Sequence, residues 1–256
     1  MRSTTTSLGG SKGEALTVLG IDTATAYATV GIVRDGEVLA EMAEKSGTGH
    51  AGTLPALVSR AVEAASGSLA EVEGIAVSLG PGSFTGLRVG LSFAKGIALA
   101  NGARLVGVPT LEALACRAPV TFEFVAVVCD ARRGETYAAA FRRRASTLER
   151  IAPDVALPPE RAAAWVAATL AGEAAILVGD ASERYPGSFE ALRGRLEIAP
   201  FDDVHPSGSA VALLGEGRLR RGESDRPEAL VPTYVRASAA QRNLERLTLT
   251  MQNAVS

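Results

Sequence analysis

Short apolar runs alternate with amphipathic stretches along this chain, and the periods of the two differ. "LTVLGID" (16–22) is a continuous apolar run closed by an acid, which predicts a buried strand. "YATVGIV" follows after a tight turn, the Asp-Gly of "RDG" (34–36) predicts a hairpin, and "EVLAEMAEK" completes a three-stranded meander. Leu54, Leu57, Val58, Ala61 and Val62 then fall on one face of a helix from about Thr53 to Ala65. Pro55 sits in its first turn, where a missing N–H costs little. "VEGIAVSLG" predicts another strand, and the glycine-rich "GPGSFTG" leads from it into a long helix ending near Ala100. "ARLVGV" and a short helix from Thr110 close this half.

The second half restarts the pattern. "FEFVAVVCDARRGETYAAAF" (122–141) is again an apolar strand ending in an acid, a tight turn and a small-residue strand, so that Asp130 answers Asp22. A helix near Pro159–Leu170, a strand in "AAILVGD" and a helix near Ser207–Arg221 follow. Strands that mostly alternate with helices predict α/β layers with mixed sheets, and the repeated opening hairpin predicts two duplicated lobes. We place the N-terminal lobe at residues 15–120 and the C-terminal lobe at 121–238. Residues 1–14 read as a disordered extension or expression remnant, and 239–256 as a tail.

Bulk properties narrow the function classes. With 47% hydrophobic and 21% charged residues and a net charge of −2, the sequence is that of an ordinary soluble globular protein. It has no surplus of Lys and Arg with which to grip nucleic acid unaided. The run Arg142-Arg143-Arg144 reads as a solvated strand end. Cys116 and Cys129 lie outside any CxxC spacing, which suits a reducing cytoplasm and neither a disulfide framework nor a zinc site. No apolar run approaches the ~18 residues that a membrane span requires.

Candidate chemistry is sparse. The histidines are His50 and His205, no HExxH occurs, and Leu54 stands where an HxxxH pair on one helical face would need its second ligand. Ser83 in "PGSFT" lacks the flanking glycines of a nucleophile elbow. "GPGSFTG" matches neither GxxxxGK[ST] nor GxGxxG, yet Gly80 and Gly82 allow close backbone approach and Ser83 can cap the following helix. Both a weak anion site and a plain strand-to-helix turn fit those residues. The loop after Asp22, beginning at Thr23, could wrap terminal phosphates and set the carboxylate near Mg²⁺, an ATPase or phosphotransferase reading that requires ATP or ADP with Mg²⁺. Its counterpart "DARRGETY" puts the bulky Arg132 and Arg133 where small residues would be needed.

The long helix poses a separate question. Gly86, Gly90, Ala94 and Ala98, four apart, form a ridge with almost no side chain. Its three glycines, Gly86, Gly90 and Gly96, forfeit on the order of 2–3 kcal/mol of helix stability. Something must pack there, either the chain's own sheet or a partner helix. The small-faced helix before it, with Leu57 and Ala61, makes a helix–helix interface through Leu57, Ala61, Gly86, Gly90, Ala94 and Ala98 the expected arrangement.

"VLGIDTATAYATVGIV", "LGPGSFTGLRVGLSFAKGIA", "GVPTLEALA", "DARRGETYAAAF" and "PTYVRA" resemble the bacterial TsaB (YeaZ) proteins from about Leu16 to Ala237. The resemblance implies an actin/hexokinase/Hsp70-like (ribonuclease H-like) fold of two duplicated lobes. It implies a non-catalytic dimerisation subunit in the cytoplasmic complex that makes N6-threonylcarbamoyladenosine at position 37 of tRNA. The active site would lie on the partner TsaD, which keeps the metal pair that is reduced here to His50. TsaD bound through helices, TsaE in the larger complex, a homodimer when alone, and tRNA reached only through the complex are the implied partners. No resident metal and no membrane are implied for the chain itself, no cofactor is required, and ATP or ADP with Mg²⁺ stays open as a ligand of the loop after Asp22.

Overall fold

The computed structural model describes residues 15–45, 49–65, 67–145 and 147–235. The extension at 1–14 and the tail at 239–256 lie outside them. Strands β1 (Thr17–Asp22), β2 (Tyr27–Arg34), β3 (Glu37–Lys45), β4 (Gly74–Gly80) and β5 (Arg104–Pro109) form a sheet ordered β3-β2-β1-β4-β5. The first three are an antiparallel meander, and β4 and β5 run parallel to β1. Asp35 (φ 52°) and Gly36 (φ 80°) make the two-residue turn between the paired Arg34 and Glu37, as the Asp-Gly signal predicts.

A second sheet repeats the plan. Strands β6 (Phe124–Arg132), β7 (Glu135–Arg144), β8 (Thr147–Leu157), β9 (Ala175–Val178) and β10 (Glu197–Ile198) are ordered β10-β9-β6-β7-β8, the same succession with the same senses. The duplication reaches single hydrogen bonds. Asp22 Oδ1 accepts from the Ala24 N–H at 2.9 Å, and Asp130 Oδ1 accepts from the Arg132 N–H at 2.9 Å. Strand β8 escapes the sequence reading because it is an edge strand carrying Pro153, Glu149, Arg150 and Asp154, and the basic run before it is the end of β7. Arg142 pairs with Glu123 at 2.6 Å and Arg144 with Glu149 at 2.9 Å, so those cations are largely neutralised locally.

Helices α1 (Leu54–Ala64) and α2 (Phe84–Asn101) cover one face of the first sheet, bringing Leu54, Leu57, Ala61, Leu91, Ala94 and Ile97 against Leu19, Ile21, Val30 and Ile75. Helix α3 (Thr110–Ala115) crosses over and packs Leu111 and Leu114 on the second sheet, against Val125, Val127 and Phe141. On that sheet's other face lie α4 (Pro159–Thr169), α5 (Ala181–Arg184) and α6 (Pro186–Phe189).

Helix α7 (Gly208–Arg220) belongs by sequence to the second half. Although it falls within 121–238, it crosses back and closes the remaining face of the first sheet, where Val211, Ala212 and Leu219 join Val18, Val33, Ala76 and Val106. Helix and sheet backbones touch. A Cβ on Gly20 would lie 2.0 Å from Gly208 O, and one on Gly208 would lie 2.2 Å from Gly31 N. The Glu41 carboxylate of β3 accepts from the N–H groups of Gly208 (2.9 Å) and Ser209 (2.7 Å), binding the positive end of α7 to the meander. The segment after α7 also returns to the first lobe, where Thr233 N donates to Leu79 O at 2.7 Å.

Candidate functional site

Strand β1 ends at Asp22, and the loop it feeds lies across the first turns of α2. Thr23 Oγ1 donates to Gly86 O at 2.8 Å, and Ser83 N donates to Ala24 O at 2.7 Å. Ser83 caps α2 as expected, its Oγ accepting from Gly86 N at 3.2 Å. These contacts explain the ridge of small residues. A Cβ at Gly86 would come 2.0 Å from Thr23 O, and one at Gly90 2.3 Å from Thr23 Oγ1. Ala94 and Ala98 are buried in the first lobe's own core, together with Leu57 and Ala61. Leu57, Ala61, Gly86, Gly90, Ala94 and Ala98, expected at a partner interface, all pack within this chain. At Gly86 and Gly90 the missing side chain admits the loop at Thr23.

The loop's carboxylate is equally enclosed. Asp22 is 0% exposed, with Oδ1 held by Ala24 N and Oδ2 accepting from Ser78 Oγ. Burial pushes its carboxyl above the usual range, against the opposing effect of the Ser78 and Ala24 hydrogen bonds. Between the lobes lies a cleft of about 210 Å³ lined by Thr25, Gly82, Ser83, Thr110, Cys129, Asp130, Arg132 and Asp180. Gly82 and Ser83 reach it, whereas Asp22, Thr23 and Gly80 do not line it. Its acids are internally engaged. Tyr185 donates to Asp130 Oδ1 at 2.9 Å, Arg132 stands 3.5 Å from Oδ2, and Asp130 N donates to Asp180 Oδ1 at 2.7 Å. Burial raises the Asp180 carboxyl and the Cys129 thiol, which disfavours a free carboxylate or thiolate there.

An actin/hexokinase-like fold raises the question of a magnesium nucleotide, and these residues do not fit one. The carboxylate that would face the metal is turned inward and bonded through both oxygens. The cleft is also below the ~300 Å³ at the lower end of small-molecule pockets. Among the described residues no group of three or more His, Cys, Asp or Glu could hold a metal ion. His50 sits in the turn before α1 with Nε2 3.0 Å from Thr25 O, which makes Nε2 the protonated donor. Leu54 is buried in the core.

What α2 presents outward, beside the start of α1, is an open groove of about 530 Å³, lined by Ala51, Leu54, Phe84, Thr85, Arg88, Val89, Ser92 and Phe93. The Arg88 guanidinium lies 3.8 Å over the Phe84 ring, which stacks on Tyr234 with centroids 5.4 Å apart. Phe84 is 45% exposed, and Leu99, further along the helix, 87%. At Gly96 nothing lies within 4 Å of where a Cβ would be. Sequence reasoning singled out the small ridge and missed this face. The signal was there in two further i,i+4 pairs, Phe84/Arg88 and Val89/Phe93, on the same helix.

The repeated strand order in two lobes, with helices on both faces of each sheet, is the actin/hexokinase/Hsp70-like class. The family model described as TsaD, tRNA N6-adenosine threonylcarbamoyltransferase, matches residues 37–244. The Bacillus subtilis tRNA threonylcarbamoyladenosine biosynthesis protein TsaB is 25% identical over 228 residues, covering 88% of this chain and 96% of that protein. An uncharacterized Mycobacterium tuberculosis protein is 41% identical over 123 residues, covering 47% of this chain and 57% of its own, so the chain spans little more than half of that relative's length. The solved structure of a Pseudomonas aeruginosa protein described as similar to peptidase YeaZ superposes with a TM-score of 0.72 at 26% identity, covering 86% of this chain and 100% of that one. The chain belongs to this TsaD-type family and, within it, to the TsaB/YeaZ group.

Proposed function

We propose that this chain is a non-catalytic scaffold subunit in the synthesis of threonylcarbamoyladenosine on tRNA, and that it binds a TsaD-type transferase through the outer face of α1 and α2. The observation that carries this reading is the outward face of α2: exposed Phe84 at the groove, and a bare Gly96 and exposed Leu99 beyond it, on a helix whose other side is packed in the core. A glycine inside a helix costs about 0.8–1 kcal/mol against alanine, and close approach by another element offsets that cost. The engaged acids of the cleft support the absence of turnover by this chain alone. On this reading the partner carries the chemistry, TsaE joins the larger assembly, tRNA is met only within it, and two copies pair through the same face when the partner is missing. The assembly works in the cytoplasm. No helix among the described residues is long and apolar enough to cross a membrane.

Charge placed in the groove tests this. Thr85→Arg/Ser92→Arg, both at exposed helical positions, should weaken co-elution with the transferase at least about tenfold, equivalent to ~1.4 kcal/mol, while the melting temperature stays unchanged. In a reconstituted assay, tRNA modification should fall with the loss of binding. Undiminished binding by the double variant would place the interface elsewhere. Modification that proceeds equally well without the chain would remove the scaffold role.

A further inference from the structure

A second open space, of about 570 Å³, lies where the crossing helices α3 and α7 meet the β7–β8 hairpin. It shares no lining residue with the α2 groove or with the cleft between the lobes. Its size falls within the ~300–1,000 Å³ of small-molecule sites, which favour domain boundaries. Val108, Leu148, Leu213 and Leu214 give it apolar walls drawn from both lobes. Three arginines also line it, and their charges are balanced differently. Arg218 is paired with Glu223 at 2.9 Å and Asp225 at 3.3 Å, and Arg221 with Glu223 at 2.6 Å. The Arg143 side chain instead donates to carbonyls, from Nε to Phe122 O at 3.4 Å and from Nη2 to Ala118 O at 3.1 Å. It forms no ion pair with any described acid. Arg143 is half-buried, where a guanidinium without a counterion is costly.

Apolar walls with one unbalanced cation fit an apolar body that carries one negative charge. A guanidinium and a carboxylate match edge to edge, which favours a carboxylate as the anion. A polyphosphate fits badly, because Glu112 on the wall and Glu223 against Arg218 repel added negative charge. We propose that this cavity binds an apolar monocarboxylic acid, with its carboxylate on Arg143 and its hydrocarbon body along Leu148, Leu213 and Leu214. Arg143 and Leu148 belong to the second sheet, and Leu213 and Leu214 to the helix that closes the first. The ligand therefore bridges the lobes beside the helices that already join them, and it stabilises their native arrangement by binding the folded chain alone. Cys116 lines the same cavity, so the ligand also covers that thiol. Occupancy needs no partner and is measured without one.

Octanoate serves as the probe, and octanamide, of the same length but uncharged, as its control. Calorimetry on the full chain should show saturable octanoate binding with a dissociation constant on the order of 1 mM, and octanamide at least about tenfold weaker. Arg143→Gln should bring octanoate down to the octanamide level. Leu213→Glu, at a position 39% exposed, should weaken octanoate at least about tenfold without changing the melting temperature of the free chain. Octanoate should also slow maleimide labelling of Cys116 about tenfold, the factor for a cavity filled about nine-tenths of the time, and leave the rate at Cys129 in the cleft unchanged. Burial pushes the Cys116 thiol up to about 11, so labelling is followed at mildly alkaline pH. Should Arg143→Gln lose its fold, Leu213→Glu and the protection of Cys116 decide. No saturation by about 10 mM octanoate, or equal affinity for octanamide, overturns the proposal. Binding that ignores Leu213→Glu or leaves Cys116 labelling unchanged overturns it too, by placing the acid elsewhere.

Discussion

Asp22 shows what enclosure does to a residue whose type suggests chemistry. Its carboxyl is raised by burial, while the same group in an unfolded chain titrates near 3.8. Its stabilising contribution is therefore complete below that value and is lost as pH rises through the higher folded one. Asparagine can keep both contacts, accepting from Ala24 N and donating to Ser78 Oγ, without the ionisation penalty. Asp22→Asn should be more stable than the native chain at pH 7, with the gap closing as pH falls into the ordinary carboxylate range. Thermal melts across that range check it, and a less stable Asn variant at neutral pH would mean that the ionised form is needed. The glycines divide the same way by environment. Gly86→Ala drives a Cβ to 2.0 Å from a backbone oxygen and should cost about 1–3 kcal/mol. Gly217→Ala in α7 meets only the flexible Arg221 tip at 3.7 Å and should gain up to about 1 kcal/mol.

Among the elements, α7 depends on a contact that local sequence does not announce. Glu41 Oε1 and Oε2 accept from Gly208 and Ser209, and Ser207 Oγ donates to Oε2 at 3.1 Å. Glu41→Ala leaves the helix with its Ser207 cap alone and should lower stability by about 1–2 kcal/mol in a denaturant titration. That contact spans 167 residues of chain, and its scale marks the boundary of what was legible. The apolar period gave β1, the β2–β3 turn and the positions of α1 and α2, because those depend on neighbours within a few residues. The small ridge was visible but its direction was not, since glycine and alanine accommodate a close loop as readily as a close helix. Thr23, which decides the matter, lies 63 residues from Gly86. Strand β8 was hidden by its own edge chemistry. At the cleft, Gly82 and Ser83 were readable as a capped turn, while the enclosure of Asp22 by Ser78 depended on a strand pairing that only the assembled sheet creates.

At the level of the whole molecule, the two lobes are joined by exchange. Helix α3 leaves the first for the second, and α7 leaves the second for the first. A fragment of residues 15–120 therefore lacks the layer that covers Val18, Val33, Ala76 and Val106. It should show no cooperative unfolding transition, and joining residues 207–235 to it through a linker should restore one. A cooperative melt of the fragment alone would show that α7 is dispensable to the first sheet. The exchange also bears on how the protein is made. Synthesis runs from the N-terminus, and α7 emerges from the ribosome after both sheets have been translated. The lobe whose sequence appears first is thus the one finished last, and its open face is exposed throughout elongation. Truncation by a late stop codon, before residue 208, should then be more damaging to the first lobe than to the second, inverting the usual rule that early-translated domains survive late truncations.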